Sequence, residues 1–146
     1  MVTVKDILTV KGPRVLSIGP EATALDAARL MNEYKVGALL VMDGDHIVGM
    51  FTERDILRRI VAEERPASVT RVDEVMTSEV VCCRLHTTIE EARGAMMNRR
   101  IRHLPVVDDG QSLLGLISIG DLNAYEAHHH EVTIHFLEEY IHGQVY

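Results

Sequence analysis

The run ATALDAARLMNEYKVGALLVMDGDHIVGMFTERDIL, from Ala22 to Leu57, recurs as HTTIEEARGAMMNRRIRHLPVVDDGQSLLGLISIGDLN, from His86 to Asn123. Ala27 aligns with Ala92, Met31 with Met96, Val41 with Val106 and Asp43 with Asp108 at constant spacing. One extra residue then enters the second copy within DDGQS, and beyond it Gly49 aligns with Gly115, Thr52 with Ser118 and Asp55 with Asp121. A duplicated fold tolerates an insertion where it falls in a turn.

Each copy reads as strand, helix, strand, strand, helix. Val15–Ile18 and Val80–Cys83 are short β-rich runs. Thr23 and Thr88 each open a helix, with Asp26 or Glu91 three places on as in a capping box. Ala24, Ala27, Ala28 and Met31 fall at helical spacing, as do Ile89, Ala92 and Met96. Ala38–Met42, the turn Asp43-Gly44-Asp45 and Ile47–Phe51 spell a hairpin, and Leu104–Val107, Asp108-Asp109-Gly110 and Leu113–Ile117 spell it again. A second helix follows from Glu53 or Ile119. Short apolar stretches, Val4–Leu8 and Val72–Met76, lead into the copies as helices, and Arg65-Pro66-Ala67-Ser68 marks a linker.

The chain of 146 residues is 47% hydrophobic, which is enough to fill a core, but only 4% aromatic. A core of Val, Ile, Leu, Met and Ala suits helices layered on strands. No apolar run approaches the roughly 18 residues of a membrane span, and no signal peptide is visible. A net charge of −7 argues against a broad nucleic-acid surface. Arginines cluster even so, at Arg54, Arg58, Arg59 and Arg65 and again at Arg99, Arg100 and Arg102, and such clusters suit a small anion. Arg58, Arg59 and Arg65 are expected to lie on a solvated helix face. Cys82 and Cys83 are adjacent, so strand geometry points them apart and reduced thiols in a cytoplasm are expected.

Gly49-Met50-Phe51-Thr52-Glu53-Arg54-Asp55-Ile56 and Gly115-Leu116-Ile117-Ser118-Ile119-Gly120-Asp121-Leu122 share one pattern: Gly, two apolar residues, a hydroxyl residue, two variable residues, Asp, an aliphatic. A hydroxyl residue at the start of a helix sits among unpaired backbone N–H groups, which attract phosphate. An Asp one turn later can accept hydrogen bonds from both hydroxyls of a ribose. The strand glycine would let a ligand ring approach the backbone. The same [S/T]-x-x-[D/E] spacing is also an ordinary helix cap, used in this chain at Thr23 and Thr88, and a cap hydroxyl can share its place with a phosphate.

The repeat resembles the cystathionine-β-synthase-type (CBS) domain, and the pair resembles a Bateman module. The match covers about residues 1–125, on the two Gly-to-Asp segments and the RIRHLPVVD run ending at Asp108. The resemblance implies an α/β (α+β) fold of two β-α-β-β-α repeats packed sheet to sheet about a pseudo-twofold axis. Repeat one would occupy 1–66 and repeat two 67–125, with a helical extension over 126–146. It further implies that Asp55 and Asp121 bind ribose and that Thr52 and Ser118 contact phosphate. Basic residues before the hairpin strand often reach phosphates in such modules; here these are Arg102 and His103, whereas the first copy has the uncharged Gly37-Ala38. Arg54 is a further phosphate candidate, and its counterpart is Gly120. The implied ligand is an adenosine nucleotide, AMP, ADP or ATP, with NAD and S-adenosylmethionine as alternatives. Implied partners are a second copy in a twofold dimer and an effector protein.

No catalytic triad, P-loop or dinucleotide fingerprint is present, so no catalytic residue is expected. His128, His135 and His142 recur every seven residues, about 10.5 Å apart along a helix and too far apart for one ion, so no metal site is expected. Glu131–Gly143 carries Ile134, Leu137 and Ile141 at helical spacing and is expected to bury an apolar stripe. Three functions remain in view: a nucleotide sensor, a ligand-free dimerisation or interaction module, and an enzyme. The first is favoured because the Asp and hydroxyl groups hold a ligand without supplying an acid–base pair.

Overall fold

The computed structural model describes residues 1–128. The run Glu131–Gly143 and the histidines beyond His128 lie outside the described residues. The chain is a mixed α/β structure. Helix α1 (Val4–Lys11) leads into β1 (Ser17–Ile18), α2 (Ala24–Tyr34), β2 (Ala38–Asp43) and β3 (His46–Thr52). Helix α3 (Glu53–Asp55) continues as a π-helix over Ile56–Val61. Then come α4 (Val72–Val75), α5 (Ile89–Arg99), β4 (His103–Val107) and β5 (Leu113–Ser118). Helix α6 begins at 119 and reaches 128.

Local chemistry fixes the long helices at both ends. Thr23 Oγ1 accepts from the Asp26 N–H at 3.1 Å and Thr88 Oγ1 from the Glu91 N–H at 3.1 Å, so both openings are capped as the pattern predicts. Both helices stop on left-handed residues at equivalent positions, Lys35 and Arg100, each with φ of 54°. The chain then turns directly into β2 or β4.

Each hairpin presents two faces, because side chains alternate along a strand. Leu39, Val41 and Phe51 pack on Ala24, Ala27 and Met31 of α2. Leu104, Val106 and Ile117 pack on Ile89, Ala92 and Met96 of α5. The opposite face of the first hairpin, Ala38, Leu40 and Met50, meets Leu113, Leu116 and Val80 of the second copy. That third cluster is the sheet-to-sheet junction.

The leading helices are exchanged. Val4 and Ile7 of α1 are buried in the core of the second repeat, and Val72 and Val75 of α4 in that of the first. Backbone bonds fix both: Val4 N–H donates to Thr87 O at 2.8 Å, and Val72 N–H to Ala22 O at 2.7 Å.

The first strand of each copy is shorter than the β-rich runs suggest. β1 spans two residues beside β2 in a parallel pairing. In the second copy only Cys83 pairs, its N–H donating to Pro105 O and its carbonyl accepting from Val107 N–H. Pro105 explains the difference. In the first copy Leu40 N–H donates to Leu16 O at 3.1 Å, and Pro105 stands where Leu40 would be, with no N–H to give. The segment Val80–Cys82 therefore runs past β4 without a ladder.

The structure assigns the strand glycines a different role from the one expected. A Cβ on Gly49 would come within 2.5 Å of Met76 Sδ and 2.9 Å of the Thr77 carbonyl oxygen. A Cβ on Gly115 would meet Leu8 Cδ2 at 2.8 Å. The close neighbour is the end of an exchanged leading segment, not space for a ligand ring. Gly49→Ala should therefore destabilise the protein by about 1–3 kcal/mol. Gly115→Ala should cost less, because a Leu side chain can shift and a backbone carbonyl cannot. Urea unfolding of both variants measures the difference; equal losses would contradict it.

Candidate functional site

β3 ends at Thr52 and β5 at Ser118, each at the junction between the two repeats. Thr52 N–H donates to Asp55 Oδ2 at 3.0 Å, and Asp55 N–H donates back to Thr52 Oγ1 at 3.3 Å. Ser118 N–H donates to Asp121 Oδ2 at 2.8 Å, and Asp121 N–H to Ser118 Oγ at 3.1 Å. Both pairs are reciprocal capping boxes. Asp55 is 6% exposed, one of two buried polar residues among those described, the other being Thr70.

Each pair opens onto a cleft. The first, of about 220 Å³, brings together Thr52, Arg54 and Asp55 from repeat one with Arg100, Arg102 and His103 from repeat two. The second, of about 420 Å³, holds Ser118 and Asp121 with Gly37 and Ala38 of the first repeat. The residues before each hairpin thus reach across to the other repeat's carboxylate. Arg102 serves the Asp55 cleft, and His103 lines both clefts. Thr52, Arg54, Asp55, Arg102 and His103 meet in one place, while Ser118 and Asp121 lie in the other.

The two carboxylates are held differently. Asp55 Oδ1 accepts from the Thr77 hydroxyl at 3.2 Å, with Arg59 Nε at 3.7 Å. Asp121 Oδ2 is paired with Lys11 Nζ at 2.6 Å. The Arg59 guanidinium also donates to the carbonyls of Val75 and Met76, at 3.2 and 2.7 Å, at the end of α4. Arg54 Nη1 reaches Arg100 O at 3.4 Å. Arg58 and Arg59 border the first cleft and remain exposed, in keeping with the solvated face expected of them; Arg65, paired with the exposed Glu74, fits it too. In the π-helical segment after Asp55, Arg58 and Arg59 border the cleft while Ile60 is buried.

Burial holds His103 below its ordinary value of 6.5, with Lys11 and Arg102 adding to the effect and Asp121 opposing it. His103 is therefore a neutral imidazole at pH 7, able to donate one hydrogen bond. Burial also pushes the Cys83 thiol up to about 12 and raises that of Cys82, so neither is an activated nucleophile. Among the described residues no His, Cys, Asp or Glu cluster could hold a metal ion.

Comparison with known proteins meets this geometry. The family model described as CBS domain matches twice, over residues 4–62 and 72–128. The chain belongs to the CBS domain family. A CBS domain-containing protein of Bacillus subtilis, YhcV, is 38% identical over 84% of this chain and 84% of its own length. A CBS domain known from its crystal structure is 41% identical, covers 87% of this chain and 99% of that one, and superposes with a TM-score of 0.83. A protein with CBS domains from Burkholderia ambifaria is 44% identical over 83% of this chain and 90% of that one, with a TM-score of 0.80. Tandem CBS repeats of this kind are regulatory, signal-transducing modules.

Sequence reasoning missed several residues that the CBS pair brings to its clefts. Lys11, Arg14 and Lys35 line the Asp121 cleft, and Thr77 and Glu79 line the Asp55 cleft. Arg14 sits over the Tyr34 ring, 5.0 Å from its centroid. All lie outside the Gly-to-Asp pattern and arrive by packing, so no local spacing marks them.

The His103 shift predicts a pH dependence. With its folded pKa below 6.5, the folded chain binds fewer protons than the unfolded chain as pH falls. The stabilising contribution is complete above that value and is lost as the pH drops through the folded pKa. Chemical unfolding of wild type and His103→Gln between pH 7.5 and 5 should show the wild type losing stability more steeply. Parallel slopes would contradict the assignment.

Proposed function

We propose that this CBS pair is a non-catalytic regulatory module that binds an adenosine nucleotide, AMP, ADP or ATP, in its two clefts. One observation carries the proposal: a buried carboxylate, Asp55, lies in a cleft lined by Arg54, Arg58, Arg59, Arg100 and Arg102, which outnumber the acidic Glu53 and Glu79 there. Arginine forks match phosphate geometry. The carboxylate suits a ribose diol, and Thr52 stands beside it for a phosphate oxygen. Met50, Ile101, Val80 and Val81 supply an apolar slot for a base. Because Pro105 denies Val81 a ladder partner, the backbone there is left to meet the edge of that base. NAD and S-adenosylmethionine carry the same ribose and are the alternative ligands.

The clefts differ, so the two carboxylates are expected to act separately. Asp55→Asn and Asp121→Asn keep a good capping residue but remove a charge. Each should weaken one site by about 10- to 100-fold, the worth of a charge-assisted hydrogen bond. Isothermal titration of wild type and both variants with AMP, ATP, NAD and S-adenosylmethionine decides it. Capping alone would leave every affinity unchanged in both variants.

The signal is proposed to pass through a homodimer to an effector protein. Leu57 and Val61, one turn apart, are 62% and 63% exposed, and Met97 is 71% exposed, an apolar surface that suits a second copy. Sedimentation at micromolar concentration should show twice the mass of the 16.4 kDa chain, and a monomer alone would refute the dimer. No described helix is long and apolar enough to cross a membrane. A cytoplasmic setting, where both thiols stay reduced, completes the proposal and is open to cell fractionation.

A further inference from the structure

The pseudo-symmetry of the two repeats isolates one substitution. In the first repeat Thr77 does two things at once: its N–H donates to Met50 O at 2.8 Å and its hydroxyl to Asp55 Oδ1 at 3.2 Å. Met50 and Asp55 correspond to Leu116 and Asp121. There a single ammonium group fills both roles, Lys11 Nζ donating to Leu116 O at 2.7 Å and to Asp121 Oδ2 at 2.6 Å. The hydroxyl that touches Asp55, beside which Arg59 Nε stays 3.7 Å away, is thus replaced at Asp121 by an ammonium in direct contact. Lys11 comes from the last turn of α1 and remains 33% exposed, with Asp121 at 25%, so the pair is reachable from the cleft.

We infer that Lys11 is the specificity-determining residue of the Asp121 cleft, a latch that makes it select for polyphosphate over nucleoside. This rests on the nucleotide-binding proposal and deepens it. A ribose diol must compete with the ammonium for Asp121, which penalises adenosine and any ligand whose main attachment is the ribose. A polyphosphate reverses the balance, because Lys11, Arg14 and Lys35 line the same cleft and a chain of phosphates can draw Lys11 away from Asp121. Arg14 is held for this role over the Tyr34 ring. In the Asp55 cleft no cation touches the carboxylate: Arg59 Nε stands 3.7 Å away, its guanidinium engaged by the carbonyls of Val75 and Met76, and Thr77 offers a hydroxyl that can turn to accept or donate. The Asp121 cleft therefore penalises a ligand that brings a ribose without a phosphate chain, whereas the Asp55 cleft leaves its carboxylate open to the ribose.

The test uses the full chain with Asp55→Asn, which weakens ribose binding in the first cleft, alone and combined with Lys11→Met or Lys11→Arg. Adenosine, AMP, ATP and inorganic triphosphate are titrated by calorimetry. With Lys11 present, ATP and triphosphate should bind more tightly than adenosine and AMP. Lys11→Met should tighten adenosine roughly fivefold and weaken ATP and triphosphate by a similar factor, the scale of a partly exposed ion pair. Lys11→Arg should keep the original order. An unchanged ratio of ATP to adenosine affinity in Lys11→Met overturns the latch, as does binding of none of the four probes by the Asp55→Asn proteins. In the latter case Asp121→Asn separates the two claims: if it still binds nucleotide, the general proposal stands and only the latch fails.

Discussion

Neither repeat completes its own core, and this exchange governs the rest of the molecule. Val4 and Ile7 lie with Ile89, Ala92 and Met96; Val72 and Val75 lie with Ala24, Ala27 and Met31. Each such side chain contributes about 1.5–3 kcal/mol on burial, so detaching a leading helix would strip the other half of much of its cohesion. A half of this size has little interior to spare. The exchange also brings the C-terminal part of α1 and the residues after α4 past the opposite sheet, where Gly115 and Gly49 make room for them. Thr77 and Lys11 reach the paired carboxylates by that route. The core and the clefts are therefore one construction.

Duplication makes the clefts comparable, and two replacements make them unequal. Pro105 in place of Leu40 removes one N–H, and with it the partner the Val81 carbonyl would have had. Lys11 in place of Thr77 puts an ammonium in direct contact with the carboxylate, where the first cleft has a hydroxyl in contact and Arg59 at 3.7 Å. His103 stands between the clefts and is kept neutral by burial and by cations from both sides, Lys11 from one and Arg102 from the other. An anion arriving in either cleft would offset one of those cations, so the imidazole is sensitive to both.

What the sequence displayed is what local chemistry encodes. The caps at Thr23, Thr88, Thr52 and Ser118, the turn after Asp43 and the alternating strands are set by neighbours a few residues apart, and the repeat doubles each signal. The Asp55 and Asp121 positions were legible for the same reason. Lys11, Arg14, Lys35 and Thr77 were not, because they join the clefts across more than twenty residues of chain, or across the pseudo-axis, through packing that no spacing reveals. The glycines show the converse failure: their presence in both copies was visible, but the neighbour that requires them is the exchanged segment. Arg58 and Arg59 are exposed as their charge suggests, but that they border a cleft depends on packing with the second repeat.

Capping and ligand binding are often set against each other for a hydroxyl–Asp pair, and the geometry here removes the conflict for one site. In Asp55 the cap falls on Oδ2, which takes the Thr52 N–H and hydroxyl, while Oδ1 faces Thr77 and the cleft. The two oxygens have separate tasks, so the helix stays capped whatever Oδ1 meets. In Asp121 the Ser118 N–H and the Lys11 ammonium converge on the same Oδ2. The cap and the latch are coupled there, and a ligand that draws Lys11 away changes the electrostatics of the cap at the start of α6. Of the two sites, the Asp121 site is thus the one in which a helix cap and a cleft-lining cation share one oxygen.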